Sequence, residues 1–224
     1  MIKPINENLK NDNLSILSLV PIDVKEKDFQ TLMLIYEKAM LQVKKEFEQL
    51  QEALKEFYEY NVINNIDCRI KTPESIIQKM KKKHYDLNYK ELIGNINDIA
   101  GIRIVCPFRT DIYRIADIIE RDSKIEILEI KDHIHKPKKS GYTGLHIIGQ
   151  TPVNIGDADV QVKIEIQIRT MAMDFWSTTE HKIKYKAKER LSKSDSRKMI
   201  RYAKIINKLD EKITKINSKY IGYR

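Results

Sequence analysis

Cysteine is nearly absent. The 224 residues hold two, Cys68 and Cys106, too few and too far apart for a disulfide framework or a Cys-x-x-Cys metal or redox motif, so a reducing, cytoplasmic setting is expected. No run of about 18 apolar residues exists to span a bilayer, and the N-terminal MIKPINENLKNDNLS has no apolar signal core, so neither a membrane-spanning helix nor a secretory leader is expected. No internal repeat or low-complexity tract is visible. Acidic residues fall short of basic ones by 32 to 41, and the resulting charge of +9 attracts polyanions such as nucleotides, RNA or acidic lipid without choosing among them. What is present is 42% hydrophobic, enough to bury one sizeable core.

Four segments are expected: an arm over 1–26, a helix over 27–60, a central domain over 61–190 and a terminal helix over 191–224. The first helix rests on Phe29, Leu32, Tyr36, Ala39, Val43, Phe47, Leu50, Leu54 and Phe57, which recur every three or four positions. The centre alternates short helix and strand signals in the manner of an α/β or α+β domain. Strands are expected over 98–105, 124–131, 145–151 and 160–169, with helices from Pro73 and over 111–121. Along the last helix, Met199, Tyr202, Ile206, Leu209, Ile213, Ile216 and Tyr220 form a coiled-coil seam that packs on its own domain or on a second subunit.

Four stretches carry candidate chemistry. Arg69 and Lys71 precede a helix start, with Ser75 and Lys79 one turn apart on it; this set either grips a phosphate chain or is a solvated lysine-rich face. Asp98 stands at the mouth of an apolar strand that Arg103 interrupts, and a buried arginine there needs an anion or a carboxylate, for which a structural salt bridge would suffice. Val160 to Ile168 alternates without a slip, so Gln161, Lys163, Glu165, Gln167 and then Arg169 share a polar face, a pattern that an ordinary solvent-facing strand also shows. If Asp98 and Glu165 lie on neighbouring strands, the two carboxylates suit Mg²⁺, which takes one or two carboxylates plus phosphate oxygens. Finally, the loop from Lys131 to His146 offers lysines for phosphate and, in Tyr142, an exposed ring to stack on a base; the plain alternative is a basic surface loop. His84, His133, His135 and His181 receive no role, because no metal-site spacing accompanies them.

In order, RIKTPESIIQK, NDIAGIRI, KPKKSGYTGLH, EIQIRT and MDFWSTTEHKIKY resemble the synthetase domain of the RelA/SpoT-type alarmone synthetases, in particular its small single-domain members. The resemblance covers roughly residues 45 to 190. It implies a nucleotidyltransferase-like mixed β-sheet flanked by helices, ATP as pyrophosphate donor, and GDP or GTP as acceptor. It also implies that Arg69, Lys71, Ser75, Lys79 and Arg103 bind ATP, and that Asp98 and Glu165 hold Mg²⁺, Glu165 also drawing the proton from the acceptor hydroxyl. Lys131, Lys138, Tyr142, His146 and Gln167 match the acceptor pocket, with Tyr142 stacking on guanine.

Two departures fall near the expected guanine side: Thr143-Gly144 where most relatives carry Arg-Ser, and Asp174, also placed with the acceptor site, where many carry Asn. They bear on base contacts and on the preference between GDP and GTP, not on the reaction class. No His-Asp dipeptide of the family's hydrolase half occurs, so synthesis without hydrolysis is expected. Small members imply a homotetramer built through the terminal helices, and the charge leaves room for a secondary attraction to RNA. The rivals are another nucleotidyltransferase, which would show paired Asp-x-Asp acids after Gly-Ser, and a non-catalytic binder, which would gain little from two acids facing a polyphosphate.

Overall fold

The computed structural model describes residues 26–220 apart from Glu59, Asp157 and 188–190, so the expected arm lies outside the described residues save for its last position. Among the described residues the chain runs α1 (Glu26–Tyr58), β1 (Asn65–Ile70), α2 (Pro73–Lys82), α3 (Tyr89–Asn95), β2 (Ala100–Cys106), α4 (Arg109–Asp122), β3 (Glu126–Asp132), β4 (Leu145–Ile155), β5 (Ala158–Thr170), α5 (Met171–Ala187) and α6 (Lys193–Tyr220). The strands form one mixed sheet in the order β1-β2-β5-β4-β3. Among the described residues only β2 and β5 are parallel neighbours; the other pairs run antiparallel. A parallel pair needs a crossover, and α4 with the β3–β4 hairpin provides it.

Strand β5 sits at the centre because its apolar side is unbroken: Val160, Val162, Ile164, Ile166 and Ile168 are all buried. They join one core with Leu32, Tyr36, Ala39, Val43 and Phe47 of α1 and with Ile112, Ile115 and Ile119 of α4. Each such side chain is worth about 1.5–3 kcal/mol over leaving it exposed. Burial of its stripe across β1, β2, β5 and β4, rather than helix propensity, therefore fixes α1. The opposite side of the sheet carries the polar residues of β5 and is left for the site.

Two expectations shift. Asp98 does not open a strand; residues 97 and 98 form a turn, and the β1–β2 ladder begins at Ile70 opposite Ala100. The Asp98 carboxylate is drawn to Lys71 and Lys79, and this turns the chain before pairing starts.

The seam on α6 divides into two faces. Ala203, Asp210, Thr214 and Asn217 are the buried positions, and they are small or polar. Arg109 at the start of α4 ties this face down: its Nε lies 2.6 Å from Asp210 Oδ2, its Nη2 donates to Asn207 O at 2.6 Å, and its backbone N–H donates to Thr214 Oγ1. Tyr202, Leu209, Ile213, Ile216 and Tyr220 from the expected seam, with Ile205, remain exposed.

Candidate active site

Strand register converts the alternation of β5 into a surface. Asp67, Arg103, Gln167, His146 and Lys131 are register partners in one row across β1, β2, β5, β4 and β3. In the next row Arg69, Gly101 and Glu165 align. Gly101 places no side chain between the arginine and the acid. Here a cleft of about 630 Å³ opens, lined by Arg69, Asp98, Arg103, Glu165 and Gln167 from the sheet side and by α5 from the other.

At one end of the cleft, α2 begins as Thr72-Pro73 leads one to expect, with the Thr72 side chain accepting from Ser75 N at 3.3 Å and Pro73 in the first turn. Lys71 Nζ and Lys79 Nζ reach Asp98 Oδ2 and Oδ1 at 3.0 and 2.9 Å. Burial pushes the Asp98 carboxyl up, and the two ammonium groups more than offset it, leaving it below the ordinary carboxylate range. The Ser75 hydroxyl accepts from Thr72 Oγ1 rather than facing a cation. Arg69 is exposed and makes no ion pair among the described residues.

Glu165 lies at the middle. His146 Nδ1 contacts its Oε1 at 3.0 Å, and Gln167 Nε2 donates to its Oε2 at 2.7 Å. Burial raises this carboxyl, the His146 and Gln167 bonds lower it further than that, and the nearby charge of Asp98 works against them; the balance is below the ordinary range. The two acids thus feel each other, Asp98 from the turn before β2 and Glu165 from β5. Arg103 Nη1 is 3.3 Å from Asp174 Oδ1 and 3.9 Å from Asp67 Oδ2, so carboxylates meet one nitrogen of the half-buried arginine while its buried Nε has no hydrogen-bond partner among the described residues.

At the far end, Tyr142 departs from expectation: it is buried, at 8% exposure, not exposed. Its hydroxyl is held by His146 Nε2 and Arg169 Nε, and the exposed Lys138 ammonium lies 4.9 Å above the ring. Lys131 pairs within its own strand with Glu129 at 2.8 Å. Asp174, at the start of α5, accepts from Arg103 and from Arg169 Nη1 at 3.2 Å. The departure at Thr143 has a physical counterpart. Thr143 Oγ1 donates to Asn207 Oδ1 at 2.8 Å, while Asn207 Nδ2 donates to Gly141 O, pinning the loop to α6. Gly141 has φ +86°, and a Cβ there would fall 2.4 Å from Ala203 Cβ, so the close approach of loop and helix requires glycine.

Among the unassigned histidines, His135 bonds Asp132 and Tyr113 at the loop's start, and His133 sits edge-on to Tyr142 and His146. His84 takes φ 58° after α2, and His181 lines the cleft. Sequence reasoning passed over Asp67, Arg169 and the cleft-lining residues of α5. For α5 a signal existed: Ser177, Thr178, His181 and Lys182 follow Asp174 at i+3, i+4, i+7 and i+8, one polar helix face, and those four line the cleft.

A surface with carboxylates at its centre and cations at both ends suits a transferase that brings two polyanions to one acid. The chain belongs to the RelA/SpoT family: the region found in RelA and SpoT proteins matches residues 68–190. It is 35% identical over 201 residues to the GTP pyrophosphokinase YwaC of Bacillus subtilis, spanning 90% of this chain and 96% of that one. The GTP pyrophosphokinase YjbM of the same organism is 27% identical over 85% of this chain and 89% of its own. Among solved structures, the small alarmone synthetase 1 of Bacillus subtilis bound to its product pppGpp superimposes with a TM-score of 0.80, at 28% identity, over 87% of this chain and 99% of that chain. The mixed sheet flanked by helices is thus the architecture of those synthetases.

Proposed function

We infer that the chain is a pyrophosphokinase that moves the β,γ-pyrophosphate of ATP to the 3′-hydroxyl of GDP or GTP, releasing AMP and a guanosine 3′-diphosphate alarmone. The observation that carries this reading is the placement of Glu165, at the centre of the cleft between the Lys71–Asp98–Lys79 cluster and the Tyr142–His146 loop. Relatives that share its length are GTP pyrophosphokinases, which supports the same assignment.

In this reading Arg69, Lys71, Ser75, Lys79 and Arg103 hold ATP. Lys131, Lys138, Tyr142, His146, Gln167 and Asp174 hold the acceptor. Lys138 leaves the Tyr142 ring for a phosphate, which opens one aromatic face to guanine. The 3′-oxygen attacks the β-phosphorus in line, its bond forms as the bond to the AMP oxygen breaks, and Glu165 takes the hydroxyl proton. A carboxyl held below its ordinary range is ionised near neutrality and so ready to accept it. Asp98 and Glu165 also suit Mg²⁺: both line the cleft, with Asp67 the third acid there, and their charges already oppose each other. When bound, the cation neutralises charge on the transferring phosphates. Cytoplasmic residence and an added attraction of the +9 chain for RNA belong to the same proposal.

The test is incubation of the purified full chain with γ-labelled ATP, Mg²⁺ and, separately, GMP, GDP or GTP. Label in a guanosine product supports the reading and ranks the acceptors. No transfer with any of them leaves a nucleotide-binding module.

The exposed face of α6 supports a homotetramer. Leu209 and Ile216, at 57% and 60% exposure, are two turns apart on that face, away from the residues that hold the helix to its own domain. Leu209→Lys with Ile216→Lys is expected to reduce the assembled particle to a smaller species in light scattering, with the fold intact by circular dichroism. An unchanged particle mass would remove this face from the interface.

A further inference from the structure

Five side chains, Glu165 among them, close into a ring of hydrogen bonds. Tyr142 Oη meets His146 Nε2 at 2.5 Å, and His146 Nδ1 meets Glu165 Oε1 at 3.0 Å. Gln167 Nε2 donates to Glu165 Oε2 at 2.7 Å, and Arg169 Nη2 donates to Gln167 Oε1 at 2.5 Å. Arg169 Nε closes the circuit by donating to Tyr142 Oη at 3.1 Å.

The direction of every bond follows from what each group can do. Arginine only donates and an ionised carboxylate only accepts, so Arg169 is the source and Glu165 the sink. Because the phenol oxygen already receives Arg169 Nε–H, its own proton goes to His146 Nε2. That leaves His146 Nδ1 as the nitrogen bearing the hydrogen that reaches Glu165. On the other branch Arg169 orients the Gln167 amide with its oxygen toward the guanidinium, and its NH₂ then faces Glu165. Both carboxylate oxygens receive a donor, and both donors are set by the same guanidinium.

We propose that Arg169 is a positioning residue of pyrophosphate transfer, which through Tyr142 and Gln167 fixes the donors on Glu165 and ties them to the acceptor side of the cleft. The tie is the remaining nitrogen: Nη1 donates to Asp174 Oδ1 at 3.2 Å and to Ser177 Oγ at 3.0 Å, both on α5. The Arg169 side chain is buried, and its guanidinium is engaged by four residues, so its own position is over-determined. A shift of α5 or of the Tyr142 loop therefore reaches the base through one rigid group. The inference rests on the pyrophosphokinase reading.

The experiment compares full-length wild type, Arg169→Gln and Tyr142→Phe by steady-state kinetics and by ¹⁵N spectra of histidine-labelled protein without nucleotide. In the wild type, His146 is expected to carry its proton on Nδ1 with Nε2 bare. In Arg169→Gln the two nitrogens exchange roles or average, and kcat falls about 100-fold, as for loss of one preorganised donor, while KM for ATP stays the same. Tyr142→Phe keeps the ring but cuts one branch, so the tautomer is released and kcat falls about tenfold; this variant decides the matter if Arg169→Gln does not fold. An unchanged His146 tautomer and kcat in the folded variants overturns the role of Arg169. Absence of transfer by the wild type overturns the pyrophosphokinase reading first, and the role with it.

Discussion

Glu165→Gln is expected to lower kcat for pyrophosphate transfer by about a thousandfold and to leave KM for both nucleotides within about threefold, because the change removes the proposed proton acceptor while keeping the shape of the cleft. The amide is also wrong for its place in the ring. Glu165 receives a donor on each oxygen, from His146 and from Gln167. Glutamine offers one oxygen and one NH₂, so one of those donors meets another donor. If Gln167 turns its oxygen inward to relieve this, its NH₂ then faces Arg169 Nη2. A Glu165→Asp variant separates the two effects, since it keeps a charge that accepts on both oxygens but withdraws it by one methylene. Single-turnover measurement with saturating ATP and GDP reads the chemical step directly; full activity in Glu165→Gln would show that another group receives the proton.

The parts of the fold that hydrophobic spacing controls were legible. The unbroken alternation from Val160 to Ile168 gave the central strand and its polar face, and the three-and-four spacing of α1 gave its length and its buried stripe as far as Leu54, while Phe57, expected on that stripe, is exposed. Spacing also led to a specific omission on α6. There the exposed apolar stripe stood out, but the stripe that packs on the chain, Ala203, Asn207, Asp210, Thr214 and Asn217, runs at spacings of four and three with hardly an apolar residue in it. It is held by Arg109, Thr143 and Gly141, partners distant in sequence, and no periodicity of hydrophobicity reports a polar contact.

The site divides in the same way. Residue types marked Asp98, Glu165 and the lysines near Pro73, and register then placed Arg103, Gln167 and His146 beside them. Tyr142 was misjudged as exposed because loop composition says nothing about a hydroxyl captured by His146 and Arg169. Arg169 itself read only as another polar position on β5. Its place as the common donor depends on Tyr142, 27 residues away, and on the turn into α5, so only the folded arrangement discloses it.

The replacement of Lys71 and Lys79 by methionine is expected to act on binding where Glu165→Gln acts on rate. Both ammonium groups converge on Asp98 from β1's exit and from α2, and together they offset the cost of burying that acid. With a polyphosphate in the cleft the same two cations are within reach of a second anion, and a charge-assisted bond to phosphate is stronger than a neutral one. Losing both should cost about 3 kcal/mol of ATP affinity, a rise of roughly 100-fold in KM for ATP, with KM for GDP little changed because Tyr142, His146 and Lys138 are untouched. Methionine preserves the length and apolar stem of lysine, so packing beneath the charges is retained. Asp98 then loses the ammonium groups that held it below the ordinary range, and burial alone pushes it up. Titration calorimetry with a non-hydrolysable ATP analogue checks the affinity; equal binding to the variant and the wild type would move the ATP phosphates away from α2 and onto the Arg69–Arg103 side of the cleft.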